Sequence, residues 1–159
     1  MILYFLRHGL AGLREEWKGD DSKRPLTKKG IQNMVKQAKT IARLDLQLDV
    51  ILTSPLTRAF QTADIVAGEL KMVERLEQDE RLASGFGSED LEQVLADHPQ
   101  AKVILLVGHE PDFRLTIGSL TGSSHVILKK GGLARVDIIA TDPLQGDLVW
   151  LLPPRIMLL

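Results

Sequence analysis

The 159-residue chain contains no cysteine, which removes disulfides, thiolate nucleophiles and sulfur-ligated metals, and with them the small disulfide-stapled secreted scaffold. It also lacks an excess of either charge. Twenty Lys and Arg face 21 Asp and Glu, a formal net charge of −1, so no overall field draws the chain to nucleic acid or an anionic membrane. Any anion site must be local. Long hydrophobic runs are missing too: the longest are strand-sized, far short of the ~20 residues a membrane-spanning helix needs. Met1 to Leu6 has neither a basic leader nor a small-residue cleavage site. A reducing, cytoplasmic location is the expectation, with no membrane and no nucleic-acid partner.

What is present suffices for one domain over residues 1–159. A chain of this mass is expected to expose roughly 8,000 Å² when folded against roughly 26,000 Å² unfolded, enough burial for a core without staples. No repeat, linker or low-complexity segment interrupts it.

Ile2 to Leu6 is an unbroken apolar run that empties into Arg7-His8-Gly9 and reads as a buried strand. A polar loop from Gly9 to Arg24 follows, and Thr27 then caps a helix carrying Ile31, Met34, Val35, Ala38, Ile41 and Ala42. Asp49 to Thr53 is a second strand. Ser54-Pro55 reads as the cap and first turn of a helix burying Ala59, Ala63, Val66 and Leu70. Met72 to Leu76 is a short strand, and Ser88 caps a helix with Leu91, Val94 and Leu95 that stops before Pro99. Val103 to Val107 is the strongest strand and runs through Gly108-His109-Glu110 into a helix with Phe113, Leu115 and Ile117. Val126 to Leu128, Leu133 to Ala140 and Leu148 to Leu152 read as a closing β meander. The alternation predicts an α/β fold, a three-layer α/β/α sandwich on a mostly parallel central sheet, whose ligand site lies beyond the carboxyl ends of the strands.

Three segments fall at that edge and bring Arg7, His8, Arg58 and His109 there. Two guanidiniums offer permanently charged, bidentate forks for a phosphoryl group, and helix starts add backbone donors. A neutral imidazole so placed can attack phosphorus and pass through a phosphohistidine. A metal site fits poorly, because the His spacing matches no metal motif and the adjacent Arg residues repel a cation.

At these residues the chain resembles the histidine phosphatase superfamily, the phosphoglycerate mutase-like group, and within it the short phosphohistidine phosphatases of the SixA type. The resemblance rests on Leu6-Arg7-His8-Gly9, on Arg24 to Gly30, on Thr53 to Ala63 with Ser54-Pro55 and Arg58, and on Val107-Gly108-His109-Glu110-Pro111, taken in order. It implies that His8 is the nucleophile, that Arg7 and Arg58 grip the phosphoryl oxygens, and that His109 donates to the transition state. Gly9 is counted with Arg7, Arg58 and His109 in the phosphate-binding set. No cofactor or metal is implied.

One departure matters. Most of the superfamily carries an acidic residue after the third strand to protonate the leaving group, and here Ser84 falls at or near that place. This favours the SixA-like branch; Glu80, Asp20, Asp21 and Glu110 remain candidates for an acid. Only 25 residues separate Arg58 from Ser84, too few for a substantial lid, so a shallow pocket reached by a phosphorylated side chain of another protein is expected. The reading is a phosphatase acting on phosphohistidine of a protein partner in signal transduction. The alternatives are a small-molecule phosphomonoesterase of the same superfamily and a catalytically idle phosphate- or phosphoprotein-binding module.

Other polar residues have plainer readings. His98 caps a helix end, His125 opens a strand, and Lys129-Lys130 form an exposed turn, with docking of an acidic partner as the alternative. Arg24 stands open between a third phosphate contact and a solvated loop residue, and Trp17 between a substrate-facing ring and a plug over the core. The apolar stretch from Leu148 to Leu159, broken at Pro153-Pro154, reads as a last strand and an extended segment packed on the domain, with a homodimer contact as the alternative.

Overall fold

The computed structural model describes residues 1–159, whose accessible surface is 8536 Å², close to the area the chain mass predicts. Strand β1 spans Ile2–Arg7, β2 Val50–Thr53, β3 Leu76–Gln78, β4 Val103–Gly108, β5 Leu133–Thr141 and β6 Leu144–Leu152. They form one sheet in the order β3-β2-β4-β1-β5-β6. The pairs β3–β2, β2–β4 and β4–β1 are parallel, whereas β5 runs antiparallel to β1 and β6. Helix α1 is Lys28–Arg43, α2 Thr57–Leu70, α3 Ser88–Asp97, α4 Asp112–Thr121 and α5 Pro154–Met157.

Alternation along the strands divides the core between the two sheet faces. Tyr4, Leu6, Ile51, Leu105 and Val107 pack under α1 and α2 through Met34, Ala38, Ile41, Ala59, Ala63 and Val66. Leu3, Phe5, Leu52, Ile104 and Leu106 pack on the other face against Leu91 and Val94 of α3 and Phe113, Ile117 and Leu120 of α4. This is the expected three-layer sandwich. Each fully buried large side chain removes apolar surface worth about 1.5–3 kcal/mol. No helix is long and apolar enough to cross a membrane.

Several local expectations shift. Thr27 caps α1 by accepting the Gly30 N–H, but the buried stripe is turned toward Met34, Ala38 and Ile41, leaving Ile31 and Val35 exposed. Helix α2 starts at Thr57 with Leu56 as its cap residue; the Ser54 hydroxyl accepts the Leu56 N–H and so supports the turn before the helix. The expected Met72 to Leu76 strand is a 3₁₀ turn at Val73–Arg75, and pairing starts at Leu76. In α3 the cap residue is Gly87, whose N–H is accepted by Asp90. Leu115 faces solvent, and Thr116 takes the buried place on α4. Val126 to Leu128 has no regular secondary structure and joins no strand, so the meander reduces to the β5–β6 hairpin. The end of the chain folds into the short α5, with Met157 buried and its carbonyl accepting from Thr40.

Candidate active site

Parallel register sets the site. Arg7 pairs with Gly108 across β1 and β4 and Thr53 pairs with Val107 across β2 and β4, so His8, Ser54 and His109 leave three adjacent strands at one level. The His8 N–H donates to the Gly108 carbonyl at 3.0 Å, and the Gly131 N–H reaches the carbonyls of both Arg7 and His8 at 3.0 Å. Gly131 has φ +76°, a left-handed conformation that favours glycine. The β1 end is thus pinned from both sides.

A cleft of ≈ 470 Å³ opens above these strand ends. Arg7, His8, Arg58 and His109 all line it, and the two imidazole centroids lie 5.3 Å apart. Between Arg58 and Ser84 no residue lines the cleft; one wall comes instead from the loop after β1, through Arg14, Asp21 and Arg24. Ser84 lines it too, and Glu80 and Asp20 do not.

The two imidazoles are anchored through different nitrogens. His8 Nδ1 lies 2.8 Å from the Gly9 carbonyl, which can only accept, so Nδ1 carries the proton and Nε2 keeps its lone pair. Burial first, then the charges of Arg58 and Arg7, hold the His8 imidazole well below its ordinary value and therefore neutral; the Gly9 bond opposes them only in part. His109 Nε2 lies 2.7 Å from Ser54 Oγ. Ser54 is fully buried, accepts the Leu56 N–H and has no other acceptor for its own proton. It therefore donates to Nε2, which places the His109 proton on Nδ1. Burial and then Arg58 bring the His109 imidazole down to about 4.

Arg58 Nη1 donates to the Asp21 carbonyl at 3.0 Å and Nη2 to its carboxylate at 3.2 Å, while Arg24 Nε bonds the other Asp21 oxygen at 2.9 Å. Arg7 Nη1 donates to the Leu128 carbonyl at 3.0 Å. Four buried side-chain polar atoms in the chain lack a partner, and three are Arg7 Nε, Arg58 Nε and His109 Nδ1. Buried donors without acceptors are costly. Three of the four belong to residues that line this cleft, an arrangement able to offer donors to an anion.

Gly9 must be corrected. Its N–H donates to Thr62 Oγ1 at 3.0 Å, and the residue does not line the cleft, so its amide has no free proton for phosphate. Its carbonyl orients His8 instead. Thr62 in turn donates to the Arg58 carbonyl at 2.8 Å, tying the loop that follows His8 to the helix that carries Arg58. Thr62 was visible in the Gln61-Thr62-Ala63 run but has no chemistry of its own to single it out. Lys130, expected in an exposed turn, lines the cleft, where burial and then Arg7 lower its basicity. Arg24 is 8% exposed and forms the cleft wall. Trp17 borders a separate hollow, its Nε1 donating to the Asp20 carbonyl at 2.9 Å. His98 ends α3 as expected, while His125 sits in the irregular 124–129 segment.

The model of the histidine phosphatase superfamily, branch 1, matches residues 3–88. The chain belongs to this superfamily. An uncharacterized protein of Picosynechococcus sp. is 40% identical over 141 residues, covering 84% of this chain and 82% of that protein. Among solved structures, the protein histidine phosphatase SixA complexed with tungstate superposes with a TM-score of 0.85 at 22% identity, covering 98% of both chains. The α-ribazole phosphatase of Shigella flexneri gives 0.74 at 20% identity, covering 97% of both. The fold is thus the phosphoglycerate mutase-like one, and superfamily membership supports phosphatase activity.

Proposed function

We propose that the protein hydrolyses phosphohistidine on a protein partner through a phosphorylated His8. The observation that carries this is the neutral His8 with its proton fixed on Nδ1 and its Nε2 lone pair in a cleft of unpartnered cationic and N–H donors. Nε2 attacks phosphorus as the bond from phosphorus to the substrate imidazole breaks, and that imidazole, its other ring nitrogen already protonated from solvent, leaves as the neutral ring. Water then attacks phospho-His8, releasing inorganic phosphate and restoring the imidazole. Arg7 and Arg58 neutralise the equatorial oxygens, and His109 donates through Nδ1 as charge builds.

Ser84 at the expected place of the acid supports a substrate whose leaving group is a protonated imidazole, which departs with less help than an alkoxide does. Glu110 supports the small-molecule alternative: it lines the cleft, and burial raises its carboxyl above the ordinary value. The two readings separate on one preparation assayed with phosphoramidate and with alkyl phosphate esters. The proposal expects the higher kcat/KM on phosphoramidate, together with a trapped, acid-labile phosphoenzyme. Ser84→Glu is expected to help the esters more, since a placed acid contributes about 10²–10⁴-fold. A wild-type enzyme already faster on the esters would overturn the phosphohistidine reading, and no phosphoenzyme at all would point to the idle binding module.

A further inference from the structure

A second groove, of ≈ 380 Å³, adjoins the cleft and shares Arg7 and Glu110 with it. One side is α4 at Arg114 and the other is the segment from Ser124 to Lys129, which belongs to no helix or strand. That segment has the alternation of a strand: Val126 and Leu128 are buried, whereas Ile127 is 71% exposed and Lys129 projects with it. Yet it has no strand beside it. No backbone N–H from Ser124 to Lys130 is donated to an acceptor in the chain, whereas the Leu128 carbonyl is taken by the Arg7 guanidinium and the Lys129 carbonyl by the Gly132 N–H, so the open groups are the N–H groups and the carbonyls before Leu128. A backbone with strand-like alternation and open hydrogen-bonding groups is a template for strand addition.

Charge indicates what it would add. Glu110 is the groove's one carboxylate, and it is already engaged by the Arg114 N–H at 3.0 Å and guanidinium at 3.4 Å. Arg7 and Lys129 have no carboxylate partner. On a chain of net charge −1 this is a local positive strip, and it ends at the nucleophile's own strand.

We infer that Ser124–Lys129 is a docking edge for an extended, acidic segment of the substrate polypeptide, which pairs along it and directs its phosphorylated side chain past Arg7 to His8. The inference rests on the phosphohistidine reading and names the part of the substrate that lies outside the cleft. Backbone pairing supplies affinity, Ile127 offers an apolar contact, and Lys129 selects carboxylates.

The test uses the full chain with phosphoramidate and with two phosphohistidine peptides of equal length, one flanked by Asp and Glu and the other by Lys. The wild type is expected to prefer the acidic peptide by about tenfold in kcat/KM, a screened two-charge effect. Lys129→Glu and, separately, the milder Lys129→Gln are expected to remove that preference, read as the ratio of peptide to phosphoramidate turnover. N-methylation of alternate amides of the acidic peptide is expected to weaken it as well. Equal use of the two peptides, or a preference that survives both variants and N-methylation, overturns the docking edge while leaving the phosphatase reading intact. Failure on phosphoramidate and both peptides overturns both. Concentration-dependent dimerisation that Ile127→Asp abolishes, without any flank preference, would give the edge to a second copy of the chain and likewise overturn the inference.

Discussion

Arg7-His8-Gly9 at the end of β1 and Gly108-His109-Glu110 at the end of β4 lie in register on neighbouring parallel strands, yet their imidazoles are held by opposite nitrogens. His8 is tethered within its own loop, by the Gly9 carbonyl on Nδ1. His109 is tethered across the sheet, by the Ser54 hydroxyl on Nε2. A carbonyl can only accept, so it leaves His8 with a bare nitrogen; a hydroxyl with no other acceptor donates, so it leaves His109 with a free N–H. Both rings are buried and neutral, and one sheet edge thereby offers a lone pair beside an N–H donor. The difference lies in the partner and not in the residue type.

Removing each ring breaks this comparison most directly. His8→Ala is expected to abolish phosphoenzyme formation and to lower kcat by ~10⁴-fold or more, as loss of a nucleophile does. His109→Ala is expected to slow the same step by ~10²–10³-fold, the scale for one donor to the transition state. Rapid-quench measurement of phosphoenzyme distinguishes them, with circular dichroism showing that both variants fold. Equal losses would remove the division of labour.

The next effect concerns the donors shared by both rings. Arg58→Ala is expected to cost about 2–4 kcal/mol in transition-state stabilisation, with parallel weakening of vanadate binding. Arg58 is oriented by Asp21 through both its carbonyl and its carboxylate, so Asp21→Asn should have a smaller effect. Unchanged vanadate affinity in Arg58→Ala would take that residue out of the site.

Both strand ends were legible in the sequence because an apolar run of fixed length followed by Arg-His-Gly or Gly-His-Glu identifies a strand and its exit together. The three-layer fold followed from the same alternation of strands and helices. Other features were hidden for physical reasons. Nothing next to Gly9 in the sequence shows that its amide proton is used; only the tertiary contact to Thr62, 53 positions away, does. Lys130 looked like half of an exposed pair until the Gly131 turn folded back on the β1 end. Val126 to Leu128 has strand composition and strand alternation, but whether a strand finds a neighbour is decided by the rest of the chain. Ser54 read as a helix cap because Ser-Pro before a helix usually is one, whereas here its proton serves His109.

Protonation offers a smaller, graded test. The folded protein favours neutral His109, about 4 against an ordinary 6.5, whereas the unfolded chain takes up that proton near the ordinary value. The stabilisation is therefore whole above pH 6.5 and is lost as the pH falls from there toward 4, by about 2 kcal/mol between pH 7 and pH 5 for this one group. His8 acts in the same direction. Urea unfolding at the two pH values is expected to show a loss about 2 kcal/mol larger in the wild type than in His109→Gln, which lacks the titration. Equal losses would mean that the folded protein accepts a charged His109.

The smallest expected effect tests the origin of the difference between the rings. If Ser54 sets the His109 tautomer, Ser54→Ala leaves the imidazole free to carry its proton on either nitrogen, and part of the population presents a lone pair where a donor is needed. One buried hydrogen bond is worth about 1 kcal/mol, so kcat is expected to fall by about fivefold to tenfold. Ser54 donates to the neutral ring, which opposes protonation; without it His109 is more easily protonated, and the acid limb of kcat/KM should move to higher pH. Ser54→Thr keeps the hydroxyl and should restore both quantities, whereas a role confined to supporting the Leu56 N–H would lower stability without moving the limb. The ¹⁵N shifts of His109 report the tautomer directly. Wild-type shifts and an unmoved acid limb in Ser54→Ala would show that His109 keeps its proton on Nδ1 without Ser54, and the contrast with His8 would then need another cause.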